Sequence, residues 1–160
     1  MNWMFLPFQR YFDFEGRSRR MEFWMFQVLN VIVALVLAGP FFFGMFSAAI
    51  AVESDSFASD EAAAEAMMTG IGAFGWAGIG LYSLYALAAF IPAIAVTVRR
   101  LHDRDMSGWW YAGLIVVSFI PFVGLLASVA FIVLMFLPGT QGENRFGPDP
   151  KNPYNEEVFT

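Results

Sequence analysis

The chain has 160 residues, of which 58% are hydrophobic and only 14% are charged. A globular domain is usually about one quarter charged, so this composition indicates an integral membrane protein rather than a soluble one. The sequence contains no cysteine and a single histidine, which excludes disulfides, thiolate metal sites and multi-histidine metal sites. We expect one membrane domain over residues 1–160, with no metal, no cofactor and no nucleic-acid partner.

The first 22 residues are amphipathic, because aromatic side chains alternate there with polar ones. Such a segment, residues 1–22, is predicted to lie along the headgroup region of a membrane rather than to cross it. Residues 23–52 then carry no charge, a run longer than the ~7–15 apolar residues of a cleaved signal. We predict a retained first span over 23–46, in which Gln27 and Asn30 hydrogen-bond to a neighbouring helix.

A second span is predicted over residues 71–98, because this uncharged run exceeds the about 20 helical residues that cross a bilayer. Helix is the expected form of every span, since backbone groups in hydrocarbon must be hydrogen-bonded within their own segment. The outer end of this span is rich in glycine, which lets helix backbones approach closely. It is predicted to pack against another helix, in the same chain or in a second copy.

Residues 109–137 form the third apolar window. As one helix they would measure about 43 Å at ~1.5 Å per residue, which is too long for a bilayer without tilt. Pro121 and Gly124 interrupt the window midway, so it forms either one kinked helix or a helical hairpin. Each arm of a hairpin would be short for a full span, so the lengths favour the kink and three transmembrane helices in total.

The basic residues indicate the orientation. Four arginines precede the first span and three lie in the turn at 99–108, whereas the connection at 47–70 carries five carboxylates and no basic residue. The positive-inside rule therefore predicts a cytoplasmic N-terminus and an external acidic loop at 47–70, with Ser59 capping a short surface helix. Three spans would place the tail, residues 138–160, outside, and a hairpin would return it to the cytoplasm.

The turn after the second span concentrates charge within residues 99–110. Arginines at the end of a helix suit its negative pole, and Ser107 is placed to cap the next helix. Asp103 follows Arg100 by three residues and Arg99 by four, so either ion pair is predicted if the helix continues. These features explain the turn as an anchor at the membrane surface. The functional alternative is a cluster that binds the phosphate of a lipid headgroup or the acidic patch of a partner.

Three ordered motifs resemble those of a known family. They read FDFEGRSRRMEFW over residues 12–24, RRLHD followed by SGWW within residues 99–110, and GENRFGPDP over residues 142–150. Together they resemble domain-of-unknown-function family 805, a group of small bacterial inner-membrane proteins. The resemblance implies a multi-pass protein of the plasma membrane and implies no established activity. If the three motifs cooperate, they should lie on one face, which favours the hairpin over the kinked helix.

The sequence predicts a non-enzymatic integral membrane protein that binds anionic lipid, or a membrane-protein partner or second copy, through a cytoplasmic arginine-rich face. One alternative is an oligomeric channel or transporter subunit for small solutes, since each span contains a proline and the second is glycine-rich. Another is an enzyme acting on lipid headgroups through His102 and Asp103, although adjacent residues do not readily pair as base and orienting acid. The candidate anion- or partner-binding residues are Arg17, Arg20, Arg99, Arg100, His102, Asp103, Arg104, Asn144 and Arg145.

Overall fold

The computed structural model describes residues 3–54 and 59–151, and this part of the chain contains helices and no β-strand. The predicted all-α class is confirmed there. Two compact units are present, unit 1 within residues 1–27 and 90–160 and unit 2 within residues 28–89. The single membrane domain stays a prediction. The helices are α1 (Leu6–Gln9), α2 (Arg20–Leu37), α3 (Gly39–Ser54), α4 (Asp60–His102), α5 (Trp109–Ser118) and α6 (Val123–Phe136).

Two helical stretches of the described chain are long and apolar enough to cross a membrane, Arg20–Leu37 and Met67–His102. The first overlaps the predicted span 23–46 and the second overlaps the predicted span 71–98, which is consistent with an integral membrane protein. The first span does not run on as one regular helix to residue 46, because α2 ends at Leu37 and α3 begins at Gly39. Pro40 lies in the first turn of α3, where its missing N–H leaves the preceding turn short of one hydrogen bond.

Unit 2 is a pair of antiparallel helical segments whose backbones approach closely at glycines of α4. A Cβ atom added at Gly44 would lie 2.6 Å from the carbonyl oxygen of Gly70, and one at Gly78 would overlap the carbonyl oxygen of Leu37. Farther along the same contact, the Asn30 amide oxygen accepts a hydrogen bond from a tyrosine hydroxyl of α4 at 2.8 Å. The predicted glycine interface is therefore confirmed within one chain, as is the predicted hydrogen bond of Asn30.

The described part of the stretch 47–70 is largely helical, and the short helix predicted within it is present at the start of α4. The external location of this stretch stays a prediction. α3 extends to Ser54 and α4 already begins at Asp60, because the alanine-rich sequence after residue 60 favours helix despite its carboxylates. The predicted cap is confirmed, since the backbone N–H of Ala62 donates to the Ser59 hydroxyl at 3.3 Å. Gly72 interrupts α4 with φ 63° and ψ 170°, which sets off the predicted short helix from the long apolar one.

The third apolar window is a helical hairpin, so the kinked single helix favoured by the lengths is wrong. Its arms α5 and α6 pack against each other, and the rings of Tyr111 and Phe131 lie 5.8 Å apart. The turn between the arms contains Pro121, and Phe122 adopts a positive φ of 63°. With 14 residues, α6 measures about 21 Å at ~1.5 Å per residue, less than the ~30 Å of a bilayer core. The structure therefore does not confirm a third transmembrane helix.

Candidate functional site

The three sequence motifs meet at one end of unit 1. The backbone N–H of Ser18, in the first motif, donates to the carbonyl of Arg99 in the second at 3.1 Å. The N–H of Thr140, just ahead of the third motif, donates to the carbonyl of Asp103 at 2.8 Å. The N-terminal segment, the end of α4 and the tail after α6 are therefore joined by main-chain hydrogen bonds before any charged side chain is considered.

Asp103 is the centre of this junction. Its Oδ1 lies 3.0 Å from the Arg17 guanidinium, and its Oδ2 forms an ion pair with Arg100. The Arg17, Arg100 and Asp103 side chains are 1%, 0% and 7% exposed, so all three charges are removed from water. The Arg17 guanidinium also contacts the tail, where it donates a hydrogen bond to the Gly142 carbonyl at 2.6 Å. A side chain at Gly139 would overlap the Asp103 carboxylate, which explains why glycine lies there.

A third buried ion pair joins Arg99 to Glu22, with 2.9 Å between nitrogen and oxygen and side chains that are 0% and 3% exposed. Arg99 also donates to the main-chain carbonyl of Asp13. Burial raises the pKa of Asp13, but the hydrogen bond from Arg10 at 2.7 Å and the charges of Arg10 and Arg99 outweigh it and hold that pKa below its ordinary value. The predicted pair of Arg99 with Asp103 is wrong, because both oxygens of that carboxylate are already occupied.

Three guanidinium groups surround the C-terminal end of α6. Arg20 donates to the Phe136 carbonyl at 3.2 Å, and Arg104 donates to the Pro138 carbonyl at 2.6 Å. Between them, Arg100 donates to the carbonyl of Leu137. The carbonyls of Phe136 and Leu137 belong to the negative pole of the helix and lack intrahelical donors, and that of Pro138 follows directly after the C-cap. The arginines therefore hold the returning arm of the hairpin against the ends of α2 and α4.

His102 has no catalytic arrangement with its neighbour Asp103. Its ring stacks on Phe146 with 3.8 Å between ring centres and 4° between planes, and its Nδ1 lies 3.2 Å from the Gly16 carbonyl oxygen. The Asn144 amide donates to the His102 carbonyl at 3.0 Å. Through these contacts, Asn144 and Phe146 of the third motif pack against His102.

Arg145 occupies the outer surface of the junction. It forms an ion pair with Asp105 at 3.1 Å, with side chains that are 59% and 48% exposed. A water-exposed pair of this kind contributes little to stability, about 0–1 kcal/mol.

All nine predicted site residues belong to unit 1, and each contacts another part of the junction. The predicted local pair of Arg100 with Asp103 is confirmed. Sequence reasoning missed Glu22 and Phe146 as partners, although both lie inside the quoted motifs, because nothing in a single sequence says which distant residue they face. Binding of an anion or a partner by these residues stays a prediction.

Comparison with known proteins gives a family match over most of the chain. The family described as "Protein of unknown function (DUF805)" matches residues 11–148. Inner membrane protein YhaH of Escherichia coli (strain K12) is 36% identical over 151 residues, which cover 94% of this chain and 98% of that protein. Inner membrane protein YhaI of the same strain is 32% identical over 151 residues, covering 94% and 97%. No solved structure matches the chain.

Proposed function

The chain belongs to this family of unknown function, and we propose that it is a non-enzymatic, multi-pass protein of the bacterial inner membrane. In this proposal its arginine-rich face lies in the cytoplasm and binds anionic lipid or an acidic membrane-protein partner. The supporting observation is the separation of charge between the units. All nine basic residues of the sequence belong to unit 1, whereas residues 28–89 contain five carboxylates and no basic residue. Under the positive-inside rule, unit 1 then faces the cytoplasm.

The contacts among the motifs support placing both ends of the chain on that side. The ion pair of Arg17 with Asp103 and the hydrogen bond of Arg17 to Gly142 tie the N-terminal segment to the turn and the tail. A chain whose third window crossed the membrane would separate these groups by a bilayer. In the proposed topology α2–α3 and α4 cross, and the hairpin α5–α6 dips into the membrane and returns.

The chemistry of the junction supports a binding role over a catalytic one. The Asp103 carboxylate is held by two arginines, and the His102 ring is covered by Phe146. A general base needs an accessible nitrogen within hydrogen-bond reach of its substrate and a partner that orients the ring. Asp103 does not orient the His102 ring, because its carboxylate is paired with Arg17 and Arg100 and the Nδ1 of His102 lies 3.2 Å from the Gly16 carbonyl oxygen.

The topology is tested by fusing a reporter that is active on only one side of the membrane to Thr160, with a second fusion to the acidic region near Ser59. We expect the first to report the cytoplasm and the second the periplasm. A periplasmic signal from Thr160 would overturn the two-crossing arrangement and separate the motifs.

The binding role is tested by thermal unfolding in neutral detergent with added phosphatidylglycerol or phosphatidylcholine. We expect the anionic lipid to raise the unfolding temperature more than the neutral one, and salt to reduce the difference, because exposed charges are screened over about 10 Å at 0.1 M salt. Equal effects of the two lipids at low salt, together with no acidic protein partner in crosslinking from native membranes, would contradict it.

A further inference from the structure

We infer that Arg20 and Arg104 form the lipid site itself, a two-guanidinium cradle at the end of α6 that takes the phosphodiester of an anionic phospholipid. This inference rests on the proposed function and narrows it to two residues. The other arginines of the junction have a different role, because each forms an ion pair with a carboxylate of the same chain.

Charge balance and position together single out this pair. Among the described residues, the carboxylates at ion-pair distance serve Arg10, Arg17, Arg99, Arg100 and Arg145. Arg19, Arg20 and Arg104 donate to main-chain carbonyls instead. Arg19 reaches the carbonyl of Pro150 in the tail and lies 5.6 Å from the centre of the Trp3 ring, whereas Arg20 and Arg104 converge on the C-terminal end of α6. Both lie close enough to Arg100 for their charges to repel it. The C-terminal end of a helix carries only about half a negative charge, so Arg20 and Arg104 together leave an excess of positive charge at the end of α6.

Carbonyls at the C-terminal end of α6 also hold the two guanidinium groups in place. One terminal nitrogen of Arg20 donates to the carbonyl of Phe136, and one of Arg104 donates to the carbonyl of Pro138, two residues farther along the chain. A guanidinium has five N–H donors, so each retains donors for a second acceptor. Phosphate oxygens accept such donors in pairs, with the planar geometry that arginine favours.

The surroundings fit a lipid better than a free anion. The Arg20 side chain is exposed, at the first residue of the first membrane-crossing helix. Beside it, Phe136 is 57% exposed and stacks on Trp24 with 4.1 Å between ring centres. Aromatic side chains of this kind concentrate at the level of the headgroups. A phosphate held by the guanidiniums would therefore place its acyl chains along the exposed apolar surface of α6.

The test compares two double variants with the same change in charge. Arg20→Gln with Arg104→Gln removes the cradle, and Arg19→Gln with Lys151→Gln removes two charges elsewhere in unit 1 that also have no carboxylate at ion-pair distance among the described residues. Binding of phosphatidylglycerol to the full-length protein in detergent is measured by native mass spectrometry, with phosphatidylcholine as reference. We expect affinity for the anionic lipid to fall about tenfold or more in the first variant and less than about threefold in the second, since charge-assisted contacts to phosphate are the strong ones.

Three outcomes distinguish the inference from the proposed function. If the wild type prefers phosphatidylglycerol and both variants keep that preference, the cradle is wrong and the broader binding role survives. If the wild type shows no preference, both fail. If inorganic phosphate at the same concentration displaces the lipid, the site takes phosphate rather than a lipid. Should the glutamine variant unfold in neutral detergent, Arg20→Lys with Arg104→Lys keeps the charge, and loss of at least about threefold in affinity is expected from the lost fork geometry.

Discussion

Replacing Asp103 by asparagine tests the interpretation of the junction as a buried ionic clamp. Asparagine has the same shape, but it leaves the guanidiniums of Arg17 and Arg100 without a counter-charge, and its NH₂ group points a donor at one of them. Both arginines are almost completely buried, at 1% and 0% exposure. Removing one partner of a buried ion pair costs about 3–5 kcal/mol. For a chain of this length that corresponds to a fall of about 6–20 °C in unfolding temperature.

The assay is unfolding in mild detergent, followed by tryptophan fluorescence and repeated with SDS as denaturant. The matched control is Asp105→Asn, which breaks the exposed pair with Arg145 and should cost less than about 1 kcal/mol. A double-mutant cycle of Arg17→Gln and Asp103→Asn should show a coupling energy, because the two groups are in direct contact. If Asp103→Asn were no more destabilising than Asp105→Asn, the clamp would not hold the fold together.

The remaining predictions concern the ion pair of Glu22 with Arg99 and the helix contact of unit 2. Glu22→Gln leaves the buried charge of Arg99 uncompensated and should lower the free energy of unfolding by several kcal/mol. The loss should be smaller than for Glu22→Ala, because the amide oxygen still accepts a hydrogen bond. The control Glu15→Gln, at an exposed position, should leave stability unchanged in the same unfolding assay. Gly78→Ala should destabilise by about 1–3 kcal/mol through overpacking, whereas Gly80→Ala, where nothing lies within 4 Å, should stabilise by about 0.5–1 kcal/mol. Equal effects of the two alanines would show that unit 2 does not pack as described.

Sequence patterns within a segment predicted the features that contacts within that segment determine. Hydropathy and length predicted the helical class and two helices long and apolar enough to cross a membrane, and the three-residue spacing of Arg100 and Asp103 predicted their ion pair. The cap at Ser59 followed from its position ahead of an acidic, alanine-rich run. Helix propensity likewise predicted the short helix with which α4 begins at Asp60. The extension of α3 to Ser54, beyond the predicted end of the first span at residue 46, was not predicted.

The sequence predicts least where contacts between residues far apart in the chain determine the structure. Glu22 and Arg99 are 77 positions apart, and periodicity within a helix relates only neighbours three or four residues away. The length of its arms made the hairpin the less favoured alternative, but that criterion assumes that each arm must cross the bilayer. The arms return because Arg100 and its neighbours bind carbonyls at the end of α6, a contact that no property of residues 109–137 reveals.

Two of the buried ion pairs, Arg17 with Asp103 and Glu22 with Arg99, specify how the N-terminal segment lies against the end of α4. Each of the two chain segments contributes one positive and one negative group: the N-terminal segment carries Arg17 and Glu22, and the end of α4 with the turn after it carries Arg99 and Asp103. The pairing is antiparallel, since the earlier residue of one segment meets the later residue of the other. Reversing the direction would bring Arg17 to Arg99 and Glu22 to Asp103, which places like charges together in a buried site. A slip of one helical turn, about 5.4 Å, would break both pairs at once. Buried ion pairs often add little net stability over apolar residues, but they penalise incorrect arrangements strongly. These charges therefore select one register and one direction for segments that hydrophobic contact alone would leave free to slide.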